Sequence, residues 1–258
     1  MINLRETKIL VVANQKGGVG KTATAVNLAA GLASLDLPTL LIDLDPQGNA
    51  TSTLGMPHRR PGVYEMLLDG ASLASAKIES GREKLELVPA SEDMSALEVE
   101  LSNTPDRELR LCAGLDAAMG SYSYVVVDCP PTLGLLTING LMVADEVIVP
   151  VQCEYLALEG LSRFVATLDR VGEIRGTGPM RRRYLMTMYD RRTTLSREVV
   201  RDVRAHFGSE VVRFVIPRSV RLAEAPGFGR TIFEHDPAGA GSLAYMMLAE
   251  EICNGTTA

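Results

Sequence analysis

Short apolar segments rich in β-branched residues alternate with helical patterns along the chain, and this alternation constrains the fold more than any other feature. The segments predicted as strands are residues 8–13, 39–43, 85–89, 124–128, 146–151, 184–189 and 211–216. Helical patterns occupy about 22–35, 106–119, 155–174, 195–207 and 240–253. Nearly continuous apolar runs are typical of strands buried on both faces. We therefore expect an α/β fold with a doubly wound, mostly parallel sheet and helices on both faces.

The segment from about Gly55 to Arg82 is the least regular part of this pattern. It combines turn signals around Pro57 and Pro61 with the short helical stretch VYEMLLDG. We expect it to be an insertion over the sheet edge. Since no internal repeat, low-complexity tract or domain-sized linker is found in the sequence, a single domain over residues 1–258 is expected.

Cysteine usage and hydropathy restrict the compartment. The four cysteines are scattered without a C-x-x-C pair, which is typical of reduced thiols and argues against a zinc site. The sequence shows no basic segment followed by an apolar one at its start, and charges interrupt every window of eighteen residues. A secretory leader or a spanning helix is therefore not expected. Together these features predict a cytoplasmic protein.

A glycine-rich loop lies between the first predicted strand and the first predicted helix, in the stretch VVANQKGGVGKTATAVN. Its end fits the phosphate-loop pattern G-x-x-x-x-G-K-[ST] at Gly20, Lys21 and Thr22, but Gln15 replaces the first glycine and an extra lysine, Lys16, follows it. Backbone N–H groups of such a loop, together with a helix N-terminus, form an anion cradle. Lys21 is expected to neutralise β- and γ-phosphate oxygens, and the Thr22 hydroxyl to coordinate Mg²⁺.

Three acidic residues stand at the carboxyl ends of predicted strands. Asp43 and Asp45 follow one strand, and Asp128 ends another. In an open α/β sheet the ligand lies outside the carboxyl ends of the strands, so these acids converge on the glycine loop. This is the arrangement that Mg²⁺ and an attacking water require. A role as helix caps or turn formers is plausible for any one of them and weak for all three.

Several motifs beyond the glycine loop extend along the chain: KGGVGKT, LLIDLDPQGNATSTLG, VVVDCPPTLGLLTINGL, VPVQCEYLALEGL and VIPRSVRLAEAPGFGRTI. In this combination the chain resembles the ParA/Soj partition ATPases of the deviant Walker A group, which also includes MinD. The resemblance runs from Lys8 to about Ile252. It implies a slow ATPase with ATP and Mg²⁺ as cofactors, in which ATP closes a homodimer that binds double-stranded DNA without sequence preference on the nucleoid. A ParB-like centromere-binding protein then stimulates hydrolysis and releases the dimer.

The resemblance also implies roles for individual residues of the ATP site. The loop residues expected to bind nucleotide are Lys16, Gly17, Gly18, Val19, Gly20, Lys21, Thr22 and Ala23. Lys16 is the lysine that crosses to the other subunit's nucleotide, and Gly17 lies where the two subunits close. Asp45 positions or activates the hydrolytic water, while Asp43 and Asp128 act on magnesium through water.

Two positions of the ATP site depart from the family pattern. Pro217 and Ser219 match contacts on the adenine side, but asparagine is common where Ser219 stands. Ala23 replaces a threonine that often touches the α-phosphate in the family. Both departures are expected to affect the affinity for nucleotide. Neither of them removes a catalytic group.

The second half of the chain carries an excess of arginine. Between Arg163 and Arg221 the sequence holds 14 arginines against 6 acidic residues. In the helix predicted at 195–207, an apolar face opposes a stripe formed by Arg197, Arg201 and Arg204. An arginine stripe of this kind is equally typical of a solvated helix face with local ion pairs.

The resemblance shifts this balance toward a DNA face, because Arg192 and Arg218 match family positions that contact DNA. We predict Arg192 and Arg218 first as DNA-binding residues, then Arg221, Arg197 and Arg201, and last the triple at 181–183. Neither a recognition helix nor an aromatic platform is evident, so contacts to phosphates without sequence readout are expected.

Two other functions occur on the same fold, and the sequence argues against both. A MinD-type membrane regulator ends in a basic amphipathic helix, whereas this sequence has no Lys or Arg after Arg230, so membrane binding is not expected. A nitrogenase-like iron protein needs cysteines placed to share a cluster at a dimer axis, and neither Cys112 nor Cys129 has a suitable context. An N-terminal helix-turn-helix is likewise not expected, since the first strand begins near Lys8.

Overall fold

The computed structural model describes residues 7–91, 93–115, 120–155, 157–176, 178 and 180–255. Within these residues eight strands form one sheet. They are β1 (Lys8–Val12), β2 (Thr39–Asp43), β3 (Ile78–Arg82), β4 (Leu85–Val88), β5 (Tyr124–Asp128), β6 (Glu146–Gln152), β7 (Arg181–Tyr189) and β8 (Val211–Pro217). Their order across the sheet is β3-β4-β2-β5-β1-β6-β7-β8.

All neighbouring strands of this sheet are parallel except β3, which pairs antiparallel with β4. β1 lies between β5 and β6, and the chain leaves it toward β2 on one side and later fills the other side with β6, β7 and β8. The end of β1 is therefore a topological switch point, where a crevice for a ligand opens in folds of this kind. β1, β2, β5 and β6 have the almost fully buried, apolar character that the sequence predicted.

Helices follow the strands and cover both faces of the sheet. They are α1 (Lys21–Ser34), α2 (Asn49–Thr53), α3 (Val63–Leu68), α4 (Leu73–Ala76), α5 (Met94–Leu101), α6 (Arg110–Leu115), α7 (Leu135–Val143), α8 (Ala157–Arg175), α9 (Thr194–Phe207), α10 (Val220–Glu224), α11 (Ile232–His235) and α12 (Ala240–Asn254). None of the described helices is both long and apolar enough to cross a membrane. The predicted fold class, a doubly wound and mostly parallel sheet with helices on both faces, is confirmed.

Two hydrophobic clusters form the core, one on each face of the sheet. On one face α1 packs against α12, with Leu28, Leu32 and Leu248 in the interior. The helices approach closely because a Cβ on Gly31 would lie only 3.1 Å from the Cβ of Ala249. On the other face α3 and α5 to α8 cover the sheet. Since α1 is packed on nearly all sides, the loop that precedes it has a rigid base.

The irregular segment from Gly55 to Arg82 differs in part from its prediction. It carries α3 and α4, and α3 packs against α5 and α6 on one face of the sheet. Its last residues form the edge strand β3, in which Ile78 pairs with Leu87. The segment therefore extends the sheet itself. The strand was not predicted because the sequence IESGR is polar and only partly buried.

A close contact between two turns joins this segment to the second half of the chain. Gly55 and Gly229 both have left-handed φ angles, 71° and 65°, and a Cβ on Gly229 would lie 2.9 Å from the Cα of Gly55. The guanidinium of Arg82 donates hydrogen bonds to the carbonyl oxygens of Leu54 and Gly229, at 3.0 and 2.9 Å. The turn after α2 and the turn before α11 are thus held together. We refer to these three residues, Gly55, Arg82 and Gly229, as the turn clamp.

Candidate functional site

The loop between β1 and α1 lies at the switch point of the sheet. Gly18 and Gly20 have φ angles of 75° and 88°, a left-handed conformation that favours glycine. A Cβ on Gly17 or Gly18 would meet no heavy atom within 4 Å, so the space over the loop is open. Gly20 is the N-cap of α1, a helix of fourteen residues. The loop can thus direct backbone N–H groups and a helix N-terminus toward an anion.

Two side chains that the sequence analysis missed hold the loop in place. The amide of Asn14 donates to the carbonyl oxygen of Pro150 at 2.7 Å, and its oxygen accepts a hydrogen bond from the backbone N–H of Lys16 at 3.1 Å. The Thr187 hydroxyl donates to the carbonyl oxygen of Val19 at 2.9 Å. The loop is therefore tied to β6 and β7 as well as to its own strand. Isolated polar residues at the ends of apolar runs were the available signal.

The two lysines of the loop have different environments. Lys21 is only 7% exposed, and burial lowers its pKa, an effect opposed by the carboxylates of Asp128 and Asp45. The Lys16 side chain is 44% exposed and forms an ion pair with Glu154. One lysine thus lies against the carboxylates of the site, and the other lies on the surface of the protomer.

Asp43 and Asp128 occupy paired positions at the ends of neighbouring strands. The Asp43 carboxylate accepts hydrogen bonds from the backbone N–H and the hydroxyl of Thr51, at 2.8 and 2.7 Å, and from the N–H of Asp45 at 3.3 Å. Burial raises the pKa of Asp43 to about 6, although the bonds from Thr51 oppose the shift. Asp45 is also buried, and one of its carboxylate oxygens accepts from the N–H of Gln47 at 3.0 Å.

Asp128 is a fully buried acid. Both of its carboxylate oxygens are inaccessible, and the Thr22 hydroxyl is the neighbour close enough to act on them as a hydrogen-bond donor. Burial, and then the neighbouring Asp43, raise its pKa well above the ordinary value, while Thr22 and Lys21 act in the opposite direction. A buried carboxylate left unpaired is costly unless a cation completes it.

The donor set fits a magnesium ion that is bound together with a phosphate ligand. The described residues contain no cluster of three or more His, Cys, Asp or Glu side chains that would cage a metal. Mg²⁺ usually needs no such cage, because one or two protein oxygens, substrate phosphates and waters complete its octahedron. The Thr22 hydroxyl and the buried carboxylate of Asp128, which lie beside each other, are oxygen donors of the required kind. The predicted set of Thr22, Asp43 and Asp128 is therefore brought together.

A mainly apolar cavity of about 420 Å³ opens beside the loop. Four residues predicted to bind nucleotide meet there from distant parts of the chain: Gly20 and Ala23 at the start of α1, and Pro217 and Ser219 at the end of β8; Arg218, predicted for DNA, also lines it. Met188 and Tyr245 also line the cavity and were not predicted. Met188 has a φ angle of 53°, an unusual value for a residue with a side chain. A flat apolar group such as a nucleotide base suits a cavity of this size and lining.

The arginines predicted for a basic face lie at and beyond the carboxyl ends of β7 and β8. Arg218 donates its backbone N–H to the carbonyl oxygen of Tyr189 at 3.0 Å, which places it beside the turn that carries Arg192. The Arg192 guanidinium, 83% exposed, makes two hydrogen bonds to Asp190 at 2.9 and 2.7 Å. These bonds hold the pKa of Asp190 well below its ordinary value.

The other three predicted arginines are exposed, and two of them have carboxylate neighbours. Arg201 lies 3.3 Å from Asp202, and Arg221 lies 3.0 Å from Glu224. Arg197 donates to the hydroxyl of Thr194 at 3.2 Å. The predicted amphipathic helix is present as α9, in which Val200 and Val203 are buried, although Leu195 is 42% exposed.

The arginine triple at 181–183 does not belong to this face. These residues begin β7, whereas Arg192 follows the end of that strand, so a nine-residue strand of about 30 Å separates them. Arg182 pairs with Asp169 and Glu210, and Arg183 pairs with Glu146 and Glu251. Arg182 and Arg183 thus stabilise the opposite end of the sheet through ion pairs. The structure does not bring the triple together with the other predicted arginines.

Cys129 is one of the two cysteines that were considered for a shared cluster. Cys129 is fully buried in the core, and burial followed by the charge of Asp128 raises the pKa of its thiol. A Cβ on Gly140 would lie 2.9 Å from its sulfur, so helix α7 packs directly over it. Cys129 thus lies in the interior of the protomer, where it cannot bridge two subunits.

The chain is similar to known proteins over most of its length. A family model described as an AAA domain matches residues 7–176. The chromosome partitioning protein ParA of Caulobacter vibrioides is 46% identical over 256 residues, covering 95% of this chain and 93% of the relative. The sporulation initiation inhibitor protein Soj of Bacillus subtilis is 45% identical, covering 95% and 98%. The chromosome-partitioning ATPase Soj of Thermus thermophilus is 49% identical, covering 94% of each chain.

Solved structures with the same fold include nucleotide complexes. A cobyrinic acid a,c-diamide synthase from Mycobacterium smegmatis, with bound ATP analog and magnesium, has a TM-score of 0.84 at 35% identity and covers 98% of this chain and 96% of its own. A plasmid partition protein from Borrelia burgdorferi, described as putative and bound to AMPPNP, has a TM-score of 0.83 at 22% identity, covering 96% and 99%. At that identity the likeness establishes the fold.

Proposed function

Because this chain belongs to the ParA/Soj family of chromosome-partitioning ATPases, we propose that it is an ATP-dependent switch for DNA segregation. Binding of Mg-ATP drives formation of a sandwich homodimer, the dimer binds DNA without sequence preference, and partner-stimulated hydrolysis releases it. The observation that carries the proposal is the opposite placement of two lysines in one loop, with Lys21 buried against carboxylates and Lys16 on the surface. We further propose that residues 1–258 form one P-loop ATPase domain.

ATP occupies the open space over the loop and the adjoining cavity. The loop residues and Lys21 bind its phosphates, while Pro217 and Ser219 lie on the base side. Thr22, Asp43 and Asp128 hold magnesium, directly or through water. When bound, Mg²⁺ would neutralise charge on the phosphates, and the buried carboxylate of Asp128 would help to hold the ion. Support for these cofactors comes from the related structure with ATP analog and magnesium at 35% identity.

Asp45 positions and activates the hydrolytic water. Its carboxylate lies at the edge of the site, 6% exposed, and the bond from the Gln47 N–H fixes one of its oxygens. A carboxylate held in this way accepts a proton from water within hydrogen-bond reach. The Asp43 carboxylate accepts two hydrogen bonds from Thr51 of α2, which anchor that helix below the site. Asp43 is therefore less suited than Asp45 to accept a proton from water.

Lys16 and Gly17 serve the dimer. The Lys16 side chain is already on the surface, and its exposed ion pair with Glu154 is weak enough to exchange for the phosphates of a second subunit's nucleotide. Gly17 has open space around it, so another backbone can approach closely. ATP then binds the closed dimer better than the open monomer, and this difference sets the populations of the two states.

The closed dimer presents two copies of the basic face to DNA. Arg192, Arg218, Arg221, Arg197 and Arg201 contact phosphates, which gives nucleoid association without base recognition. The partner is a ParB-like centromere-binding protein that stimulates hydrolysis. We base this on the partition relatives, whose identities of 43–49% exceed the 35% of the differently named synthase.

The test is a salt series of binding to random-sequence duplex DNA with ATP, with ADP and without nucleotide. We expect DNA binding with ATP and none with ADP or without nucleotide. This binding should weaken steeply as the salt concentration rises, because phosphate contacts release counterions. Binding that is equal in all three nucleotide states would contradict the switch. A metal-dependent measurement of ATP hydrolysis on the same preparation tests the ATPase separately.

A further inference from the structure

The imidazole of His58, from the segment after α2, covers the turn that carries Asp45. A Cβ on Gly48 would overlap this ring, and the three heavy atoms nearest to it, within the described part of the chain, are Cε1, Nδ1 and Nε2 of His58. Gly48 is buried, although its neighbours Gln47 and Asn49 are exposed. The histidine ring therefore occupies the space that a side chain at position 48 would fill.

Gly48 closes the hydrogen-bonded turn that fixes the Asp45 carboxylate, and we refer to residues 45–48 as the Asp45 turn. The N–H of Gly48 donates to the carbonyl oxygen of Asp45 at 2.8 Å, and the N–H of Gln47 donates to the carboxylate at 3.0 Å. Gly48 has a φ angle of 61°, a conformation that glycine enters and leaves without a large cost. A contact that holds Gly48 in place therefore also holds the Asp45 carboxylate.

His58 is joined to α2 as well as to the Asp45 turn. A hydrogen bond of 3.2 Å links the Nε2 atom of the ring to the Ser52 hydroxyl, and the N–H of Ser52 donates to the carbonyl oxygen of Gly48 at 3.0 Å. The ring thus bridges the turn and the helix that follows it. Because this hydrogen bond is exposed and water can replace it, its effect on stability is small, whereas it fixes the orientation of the ring.

The segment that returns His58 over the Asp45 turn is anchored on both sides. Before His58, the turn clamp holds the chain at Gly55. After it, the guanidinium of Arg60 forms an ion pair with Asp93. The placement of His58 is therefore determined by the fold, and the spacing of residues around Asp45 does not reveal it.

We propose that His58 is a positioning residue for ATP hydrolysis, whose ring holds the Asp45 turn so that the Asp45 carboxylate meets the attacking water. The proposal rests on the proposed function, since His58 acts through Asp45. Misplacement of a catalytic group by about 1 Å lowers a rate by up to about a hundredfold. Removal of the ring should thus lower the rate of hydrolysis more than the affinity for nucleotide, which depends on the loop between β1 and α1.

The experiment measures steady-state hydrolysis of Mg-ATP by variants of the full-length protein. His58→Ala removes the ring, and His58→Gln keeps a flat polar group that can reach Ser52. His206→Ala is the matched control, because it removes an imidazole from the last turn of α9, where the ring lies edge-on to Phe207. Melting temperatures of all variants are measured in parallel.

We expect His58→Ala to lower kcat by about tenfold and to leave KM for ATP within about twofold of its normal value. His58→Gln should restore part of the lost rate, and His206→Ala should have the rate of the unaltered protein. A purely structural role of His58 would lower the melting temperature and would not separate kcat from KM in this way.

A double variant tests whether His58 acts through Asp45. Hydrolysis by Asp45→Ala is compared with hydrolysis by the protein that carries both Asp45→Ala and His58→Ala, in single turnovers with the protein in excess. Once the carboxylate is absent, its position no longer matters. Loss of the ring should therefore change the residual rate by less than about twofold, although the same loss costs about tenfold when Asp45 is present.

An unchanged kcat in His58→Ala, together with impaired hydrolysis in Asp45→Ala, overturns the role of His58 and leaves the proposed function standing. A further tenfold loss on adding His58→Ala to Asp45→Ala also overturns it, because the ring would then act on another group. Normal hydrolysis by Asp45→Ala removes the proposed role of Asp45, and the role of His58 fails with it.

If His58→Ala melts early, Ser52→Ala gives the test, because it frees one side of the ring without removing it. A lower kcat at an unchanged KM and melting temperature is then expected. An unchanged kcat in Ser52→Ala overturns the proposal.

Discussion

The Nζ atom of Lys21 donates a hydrogen bond to the carbonyl oxygen of Lys16, at 3.0 Å. The buried lysine of the loop thus holds the backbone of the residue whose own side chain points to the surface and pairs with Glu154. The ammonium group has three N–H donors, so the same group can also donate to a phosphate while it holds the backbone of Lys16.

Replacing Lys16 by alanine should abolish ATP-driven dimerisation and leave nucleotide binding by the monomer intact, because the Lys16 side chain points away from the carboxylates of its own site. Light scattering after size-exclusion chromatography with ATP measures the dimer. Glu154→Gln is the matched variant: it removes an ion pair worth about 0.2–1 kcal/mol and should favour the dimer slightly. A dimer that forms normally in Lys16→Ala would contradict the role of this lysine across the interface.

Asp45→Ala should lower the rate of ATP hydrolysis by about a hundredfold or more, as expected for loss of a general base. Dimerisation and DNA binding with ATP should persist, because the hydrogen bond to the Asp45 side chain comes from the Gln47 N–H of its own turn. Phosphate release under saturating ATP is the measurement, and a matched assay of DNA retention follows the trapped dimer. Hydrolysis at the normal rate would remove Asp45 from the mechanism.

Asp43 should make the nucleotide-free protein lose stability as pH rises from about 4 to 6. Its folded pKa of about 6 exceeds the ordinary value of 3.8, so the folded state binds more protons than the unfolded state in this window. The effect amounts to about 3 kcal/mol between the ends of the window. Urea unfolding of the protein and of Asp43→Asn at several pH values gives the difference, and parallel curves for the two proteins would contradict the shift.

The same proton should weaken magnesium-dependent nucleotide binding as pH falls below about 6, because a protonated carboxyl is a poor ligand for the ion. The expected result is a larger loss of affinity for Mg-ATP than for ATP measured with a chelator. Fluorescent-nucleotide titrations at about pH 5.5 and about pH 7.5, on either side of this pKa, compare the two. An equal loss with and without magnesium would place the titrating group elsewhere.

Combined replacement of Arg192 and Arg218 by alanine should strongly reduce ATP-dependent binding to random-sequence DNA. Asp190→Asn should have the opposite effect and raise affinity, because it releases Arg192 from a carboxylate that holds it with two hydrogen bonds. Both proteins are compared by the anisotropy of a labelled duplex at one salt concentration. Undiminished binding in the double arginine variant would show that the DNA face lies elsewhere.

The sequence predicted the parallel strands and the loop because both depend on local patterns. Apolar runs of five or more residues identify buried strands, and glycine spacing identifies the loop. The edge strand β3 was missed because its sequence is polar, and α7 was missed because LLTINGLMV is apolar on every side and has no helical period.

Parts of the site that depend on distant partners were not predictable from one sequence. Asn14 meets its carbonyl partner 136 residues away, and Thr187 meets Val19 across 168 residues. The separation of the arginine triple from Arg192 likewise depends on where β7 begins. The first three residues of β7 are arginines, so the apolar pattern did not include them in the strand. Each of these features depends on pairing between residues that are distant in sequence, and a local sequence pattern does not encode such pairing.

The turn clamp constrains how this chain can vary. At Gly55 and Gly229 the two backbones touch where a β-carbon would need to be, and both turns are left-handed. Both residues are already glycine, the smallest residue. A larger side chain at one position therefore cannot be compensated by a smaller residue at the other. A mutation on either side is thus expected to have no second-site suppressor within the pair, and rescue would require a change in the length of one of the turns.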